Sequence, residues 1–505
     1  LDVSGSADSV LVVDVGTSSV RAAVVRPDAT VEHTHQMPVL PDTPAPGLVE
    51  FDAARLAEAV LTVARAALAE GGPVAGVGIA NQRASSIVWE RATGRPLAPG
   101  IGWQDLRTVG TCLALQGEGI RLAPNASATK VMAILDDVDP ERERAERGEL
   151  CFGTVDSWVA WTLSGGASAG TEALHVTDAT NAAVTALVDP ATIDWDHALL
   201  ERLRIPRAMM PAVVDSSGEL GPARALPGSP PICGIAGDQQ ASLVGQGCTL
   251  PGMAKATFGT GGMLDQCTGA GAGPGPGPIG RSGAGTFPIV AFRLGGTTTW
   301  GTEAVMLSAG TAIEWLRDDL GLLASSEESA AVAARCESSG DVWFVPALLG
   351  LGTPVWDFGA RGTLVGLTRG SGRPEVVRAV LEGVAHRGAD LVEASERDSG
   401  YAIGALRVDG GMSANEVFVT ALADAIGRPV EVSPVLEATT LGAGLLAGLA
   451  IGVYASSEDL AQTFTPRRTM EPRNDDLARS VTRERWLAAR AKAEATIPEL
   501  SGITF

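Results

Sequence analysis

An acid followed by two amides, Asp238-Gln239-Gln240, stands between glycines in GIAGDQQASLVGQG (Gly234–Gly247). A turn could use Asp-Gly and stop, so the extra polar side chains raise the question of a catalytic carboxylate. Within hydrogen-bond reach of a hydroxyl, such a group can accept its proton. A second acid, Asp14, interrupts an apolar run, VLVVDVGTSSVRAAVV. Burying it costs energy unless charge or hydrogen bonds compensate. Magnesium, which prefers oxygen ligands and keeps much of its hydration, is one compensator. The small residues that follow let backbone N–H groups and the hydroxyls of Thr17, Ser18 and Ser19 approach phosphate oxygens, and Arg21 can add a fork-shaped donor. A plain polar hairpin is the alternative. Gly259-Thr260-Gly261-Gly262 repeats the arrangement without an acid. Gly410-Gly411, in VDGGMSANE, lies between a strand end and a helix start, where a base or ribose can come close. Any one of these could be a tight connection; three together point to a nucleotide.

These residues need strands and helices to hold them. Val10–Ala29 reads as two apolar strands joined by the Gly-Thr-Ser-Ser turn, and a helical pattern runs from Asp52 to Glu70. VAGVGIANQRASSIVWERATGRPLAPGIGW gives two or three strands, while 129–163 reads as largely helical, with Trp158 and Trp161 as core residues one turn apart. The stretch GTEAVMLSAGTAIEWLRDDLG is expected to be strand then helix, and RPEVVRAVLEGVAHRGADLVEASERD a long amphipathic helix. Ser413 and Glu416 form an S-x-x-E capping box for the helix after the glycine turn. The low-complexity stretch Gly269–Gly285 is expected to be a mobile surface loop. Alternating strands and helices mean α/β layers. FGTGGML echoes VGTSSVR some 240 residues on, which suggests two related halves, each bringing one phosphate-holding turn to a common cleft.

Bulk properties narrow the class. A chain of 505 residues carries about two to four domains. Its net charge of −21 argues against a nucleic-acid surface and gives no support for docking to anionic lipid. Leu441–Ala455 is too short and glycine-rich to span a membrane, and LDVSGSADS lacks the basic start and apolar core of a signal peptide. The six scattered cysteines form no Cys-x-x-Cys pair and are expected to be reduced, mostly buried thiols of a cytoplasmic protein. His33 and His35 lack a third metal ligand.

The segments DVGTSSVRAAVV, NQRASSIVWERATG, IGWQDLRT, GIAGDQQASLVGQG, TFGTGG and RVDGGMSAN…EVSPVLEATTLGAGLLAGLAIG occur in the order seen in the FGGY carbohydrate kinases, and they are most similar to the glycerol kinase branch. The resemblance spans Val10 to Tyr454. It implies two ribonuclease-H-like domains of the actin and hexokinase type around a nucleotide cleft, with ATP and magnesium. The expected division is 1–250 for acceptor binding, the first phosphate loop and the catalytic acid, 251–457 for nucleotide binding, and 458–505 as a helical appendage. By resemblance, Asp238 is the catalytic base, which would take the hydroxyl proton during in-line phosphoryl transfer. Gln239, Arg83 and Trp103 contact the acceptor. Asp14 is the magnesium-associated acid. Thr17, Ser18, Ser19 and Arg21 form the first phosphate loop and Thr260 the second; Gly310, Gly411 and Asn415 touch nucleotide. Glu314 falls where glycerol kinases often carry Gln.

The departures concern the acceptor. Glycerol kinases typically read Arg-Glu-Thr-Thr where this chain reads Arg83-Ala84-Ser85-Ser86, and Asn125 replaces an expected Tyr. Losing a carboxylate and a phenol leaves a glycerol-sized ligand short of polar partners, and Ala84 opens space. The expectation is therefore an ATP-dependent kinase for a primary hydroxyl of a small polyol or sugar other than glycerol. A true glycerol kinase is the first alternative, and an ATP-switched binding protein on the same fold the second. The acceptor-facing set of Asp238, Gln239, Arg83 and Trp103 favours an enzyme. Neither nucleic acid nor membrane is an expected partner, and homo-oligomer formation is compatible with the sequence.

Overall fold

The computed structural model describes residues 8–271 and 279–502. Its spine is a mixed thirteen-stranded sheet. In chain order the strands are β1 (Val10–Val15), β2 (Ser19–Val25), β3 (Val31–Pro38), β4 (Gly76–Asn81), β5 (Ser217–Pro222), β6 (Pro231–Gly237) and β7 (Ala254–Phe258). They continue with β8 (Gly262–Ala270), β9 (Phe287–Leu294), β10 (Thr297–Met306), β11 (Leu406–Asp409), β12 (Val430–Val432) and β13 (Arg468–Met470). Side by side they run β13-β12-β11-β7-β8-β10-β9-β5-β6-β4-β1-β2-β3.

Two halves of this sheet share one topology. In the first, β2 is antiparallel to both β1 and β3, and β1, β4 and β6 run parallel. In the second, β8 is antiparallel to both β7 and β10, and β7, β11 and β12 run parallel. The two Gly-Thr turns of the sequence are thus the two equivalent hairpin turns. The halves meet where Ser217 of β5 pairs with Leu294 of β9, and Arg293 Nε holds Asp215 at 2.6 Å beside that seam.

Helices cover the sheet where their apolar stripes fall. In chain order they are α1 (Ala53–Gly71), α2 (Ser127–Val138), α3 (Val155–Leu163), α4 (Ala179–Ala183), α5 (Asp238–Gly245), α6 (Gly310–Glu314), α7 (Arg373–Ser399), α8 (Glu416–Ile426), α9 (Ala438–Ala450) and α10 (Asp476–Ala493). The Asp52 carboxylate caps α1 by accepting from the N–H groups of Ala54 and Arg55, and Leu56, Val60, Val63 and Ala67 bury one face, at the helical repeat. α9 follows β12 in the chain but packs on the first half: Ala443, Leu445, Leu446 and Ala447 join Val12, Ala80 and Ala236 in one core. The contact is backbone to backbone, since a Cβ at Gly442 would collide with the Ala241 carbonyl of α5.

Some expectations needed correction. The stretch 129–163 is interrupted: α2 stops before Pro140, and Leu150–Gly153 forms a strand against Ile87–Glu90 before α3 begins. Trp158 and Trp161 do pack in the core, edge-on to Trp89 at 5.2 and 5.8 Å. The cap of α8 is Asn415, whose side chain accepts from Phe418 N at 3.2 Å, while the Ser413 hydroxyl turns back to the Gly410 carbonyl. The terminal segment expected as a helical appendage also supplies β13 at the sheet edge and buries Trp486 of α10. The middle of the expected 269–285 loop lies outside the described residues, and its end is tied by Ala284 N and Thr286 Oγ1 to Asp398. All six cysteines are free, five of them buried. Among the described residues no helix is long and apolar enough to cross a membrane.

Candidate active site

Asp238 is the first residue of α5, where β6 ends, so its carboxylate faces the unpaired N–H groups of a helix start. Gly237, just before it, donates its N–H to Thr180 Oγ1 at 2.9 Å, and Gln239 N donates to Asp238 Oδ1 at 2.8 Å. Arg83 arrives from the loop after β4, with Nε 3.3 Å from Asp238 and Nη2 2.7 Å from Glu303 of β10. A side chain at Gly237 would strike the Arg83 methylenes. These groups border a cavity of about 270 Å³ between the halves, which Thr17, Ala84, Trp103, Asn125 and Gln239 also line. Phe287, Met263 and Glu303 close it from the second half.

The cavity wall is braced from behind. Trp103 donates from its backbone N to Ser85 Oγ at 3.1 Å and from Nε1 to Thr17 Oγ1 at 3.2 Å. Lys130, fully buried on α2, donates to the carbonyls of Trp103 and Asn125 at 3.2 and 2.8 Å. Burial pushes its ammonium down to about 7. Ala84 is buried with φ +61°, a left-handed conformation that the loop must impose on a non-glycine residue. Asn125 is exposed at the mouth.

A transverse row of charges crosses the sheet beneath the cavity. Lys255 of β7 stands directly opposite Asp265 of β8, and Asp265 directly opposite Glu303. Neighbouring carboxylates on adjacent strands repel. Here they are bracketed, by Lys255 at 2.7 Å from Asp265 and by Arg83 at 2.7 Å from Glu303. Burial raises the Asp265 carboxyl against the pull of Lys255. Burial also raises Asp238, with Arg83 opposing. For Arg83 burial works against the charge, but Glu303, Asp238 and Asp265 outweigh it and lift the guanidinium above its ordinary value.

Deeper still, Asp178 caps α4 and accepts from Thr180 Oγ1 at 2.8 Å, so it orients the hydroxyl that receives Gly237 N–H. Asp156 lies beside it, accepting from Thr177 Oγ1 at 2.7 Å and Asp178 N at 3.2 Å. Burial, then the Asp178 charge, push Asp156 up to about 7.

A second cavity, of about 380 Å³, lies wholly in the second half. Thr260, Gly310, Glu314, Gly411 and Asn415 all line it, so this part of the expected set is brought together. The Thr260 carbonyl accepts from Ala309 N at 2.9 Å at the start of α6, and a Cβ at Gly310 would meet the Gly259 carbonyl. Asn415 Nδ2 donates to Ser329 Oγ at 3.0 Å.

The first Gly-Thr turn divides its residues. Thr17 faces the first cavity, Ser18 is exposed, and Gln36 engages both Ser19 Oγ at 2.9 Å and Arg21 Nη2 at 3.4 Å. Asp14, at the end of β1, accepts from Thr440 Oγ1 at 2.9 Å, and burial pushes its carboxyl up to about 6. Thr439, next along, donates to the Asp238 carbonyl at 3.4 Å, so the start of α9 touches both acids. Sequence reasoning passed over Glu303, Lys255, Asp265 and Lys130. The first three are charges inside apolar strands, the same signal that singled out Asp14.

The chain matches the family models of the FGGY family of carbohydrate kinases, the N-terminal domain over residues 9–245 and the C-terminal domain over 285–451. It is 42% identical to the glycerol kinase of Aromatoleum aromaticum, over 96% of this chain and 99% of that one. It is 40% identical to the glycerol kinase of Deinococcus radiodurans, over 96% and 97% of the respective chains. The crystal structure of Plasmodium falciparum glycerol kinase with ADP superimposes with a TM-score of 0.89 at 26% identity, over 97% of this chain and 99% of that one. These likenesses overturn the expectation of an acceptor other than glycerol, because nearly full-length relatives at such identity are named glycerol kinase. The physical reason lies in Glu303. It lines the same cavity as Ala84 from a strand far along the chain, a second acid beside Asp238 that a reading of positions 84 and 125 alone leaves out.

Proposed function

The chain belongs to the FGGY family of carbohydrate kinases, phosphotransferases with an alcohol group as acceptor and the two-domain fold of actin and hexokinase, and on that premise we propose that it is a glycerol kinase. It transfers the γ-phosphoryl group of ATP to a primary hydroxyl of glycerol. The observation that carries this reading is the placement of Asp238 and Gln239 in one small cavity with Arg83, Trp103 and Glu303, beside a separate cavity walled by Thr260, Gly310 and Gly411.

In this reading Asp238 accepts the proton of the attacking hydroxyl while its oxygen bonds to the γ-phosphorus. The bond from that phosphorus to the bridging oxygen breaks, and ADP leaves with the electron pair. Burial helps, since a carboxylate raised toward neutrality is a better proton acceptor than an exposed one. Arg83 fixes the carboxylate from the side through its bond to Glu303, and Gln239 and Trp103 complete the polar surround of the acceptor. The Gly-Thr turns offer backbone N–H groups to the phosphates.

Among the described residues no three His, Cys, Asp or Glu side chains converge into a metal cluster. A magnesium ion would therefore rest on Asp14 together with phosphate oxygens and water, the ligand set it favours. A half-buried acid with one hydroxyl partner and a raised pKa fits that role. Bound there, the ion supplies neutralisation of phosphate charge.

The test is magnesium-dependent ADP release from ATP, with glycerol as acceptor and the product identified. Formation of glycerol 3-phosphate at a rate well above that without acceptor is expected. No turnover of glycerol by the folded protein would overturn the assignment.

A further inference from the structure

Lys255 is fully buried on β7, yet it is not spare charge. Its Nζ stands 2.7 Å from Asp265 Oδ2 and donates to Gln239 Oε1 at 2.6 Å and to Thr257 Oγ1 at 3.2 Å. An ammonium has three N–H donors, and three oxygens surround this one. Nothing is left to offer a substrate, so Lys255 acts through the groups it holds.

The group that matters is Gln239. A glutamine amide presents a carbonyl on one side and an NH₂ on the other, and turning it over exchanges acceptor for donor. In this chain the carbonyl side is taken by Lys255, and a flip would press NH₂ against NH₃⁺ in a buried setting. Gln239 lines the acceptor cavity, and the bond that holds its side-chain amide is made on the Oε1 side. Asp265 makes the arrangement affordable, because it balances the Lys255 charge from the facing strand position.

We propose that Lys255 and Asp265 lock the Gln239 amide with its NH₂ toward the acceptor, so that Gln239 is an obligate donor to a second acceptor oxygen while Asp238 takes the reacting hydroxyl. Lys255 is a positioning residue and Gln239 the specificity-determining one. The inference rests on the glycerol kinase reading and deepens it. The site then presents an acceptor and a donor side by side. A second acceptor oxygen needs only a lone pair, so a carbonyl serves as well as a hydroxyl.

The experiment compares kcat/KM for glycerol, 1,2-propanediol, 1,3-propanediol and dihydroxyacetone in the full-length protein. Each diol lacks one of the two hydroxyls beside the reacting one, and dihydroxyacetone replaces the middle hydroxyl by a carbonyl. For the wild type, one diol is expected to fall about tenfold or more below glycerol, because it leaves the Gln239 NH₂ unpaired. If that diol is 1,3-propanediol, dihydroxyacetone is expected to stay near glycerol.

Lys255→Met with Asp265→Leu removes the buried pair together and avoids leaving one charge unpaired, a change that folded proteins tolerate. In this double variant the discrimination against the same diol is expected to shrink to about threefold or less, while KM for ATP changes by less than about twofold. Gln239→Glu keeps an oxygen on Lys255 but turns a second oxygen to the acceptor, which pairs with a hydroxyl and not with a carbonyl, so where the discriminated diol is 1,3-propanediol this variant is expected to drop dihydroxyacetone about tenfold or more below glycerol. A double variant that slows all acceptors alike and keeps the wild-type ratio would reduce Lys255 to a structural brace and overturn the proposal. A wild type inactive on glycerol would overturn the function itself, and this inference with it.

Discussion

In and behind the first cavity a connected set of charged side chains, Arg83, Asp238, Lys255, Asp265 and Glu303, stands with Arg121 and Lys130 nearby, whereas the second cavity is walled largely by Thr260, Gly310, Gly411 and other small residues, with Glu314 and Glu327 exposed. In the proposed reading the first recognises through ionised groups that can be buried only as a mutually paired set. The second offers backbone and leaves room for a ligand's own charge. Damage should therefore spread in the first and stay local in the second.

The sharpest way to break that contrast is Asp238→Asn. It is expected to cut kcat about 10²- to 10⁴-fold while ATP still binds, read by ADP release beside a nucleotide titration. Near-normal turnover would take the base role from Asp238. Next comes Arg83→Met, which leaves Asp238 and Glu303 without their shared cation and is expected to cost about 3 kcal/mol in urea unfolding, the lower end for breaking a buried pair. An unchanged midpoint would mean that the paired set is not coupled. Thr260→Val should raise KM for ATP about three- to tenfold, with KM for glycerol and stability little altered. The reverse pattern would put this turn on the acceptor side.

Apart from both cavities stands a pH profile. Asp156 titrates at about 7 in the fold against 3.8 for an unperturbed carboxyl, so the folded state holds the extra proton between those values. Stability from this group is present at low pH and lost as pH rises through that window. Asp156→Asn is expected to flatten the fall in thermal midpoint between about pH 4 and about pH 7. An equal fall in both proteins would clear Asp156.

How much of this was legible beforehand depends on which physics carried the signal. Asp14 and Asp238 could be found because an acid among apolar or glycine neighbours has no cheap local explanation. Lys255 in AKATF and Asp265 in GMLDQC gave the same sign, but their meaning is a cross-strand pairing that no single strand displays. The likeness of the halves was readable from the repeated Gly-Thr turns, whereas the order of strands in the sheet was not. The acceptor was misjudged because Ala84 and Asn125 were read as lost contacts, while Glu303, which lines the same cavity from another strand, was passed over. Local capping chemistry misled too: Ser413 has the right spacing for a box, yet the chain is still in a tight turn there, and Asn415 alone adopts the extended backbone a cap requires.

The placement of α9 has a consequence for the newborn chain. The last strand of the first half ends at residue 237, but the helix that seals one face of that half begins only at residue 438. A ribosome working from the N-terminus must therefore deliver about 200 further residues before that face is covered. Until then Val12, Ala80 and Ala236 have the α5 residues of their core but lack Ala443, Leu445, Leu446 and Ala447, and apolar surface left open during synthesis favours aggregation.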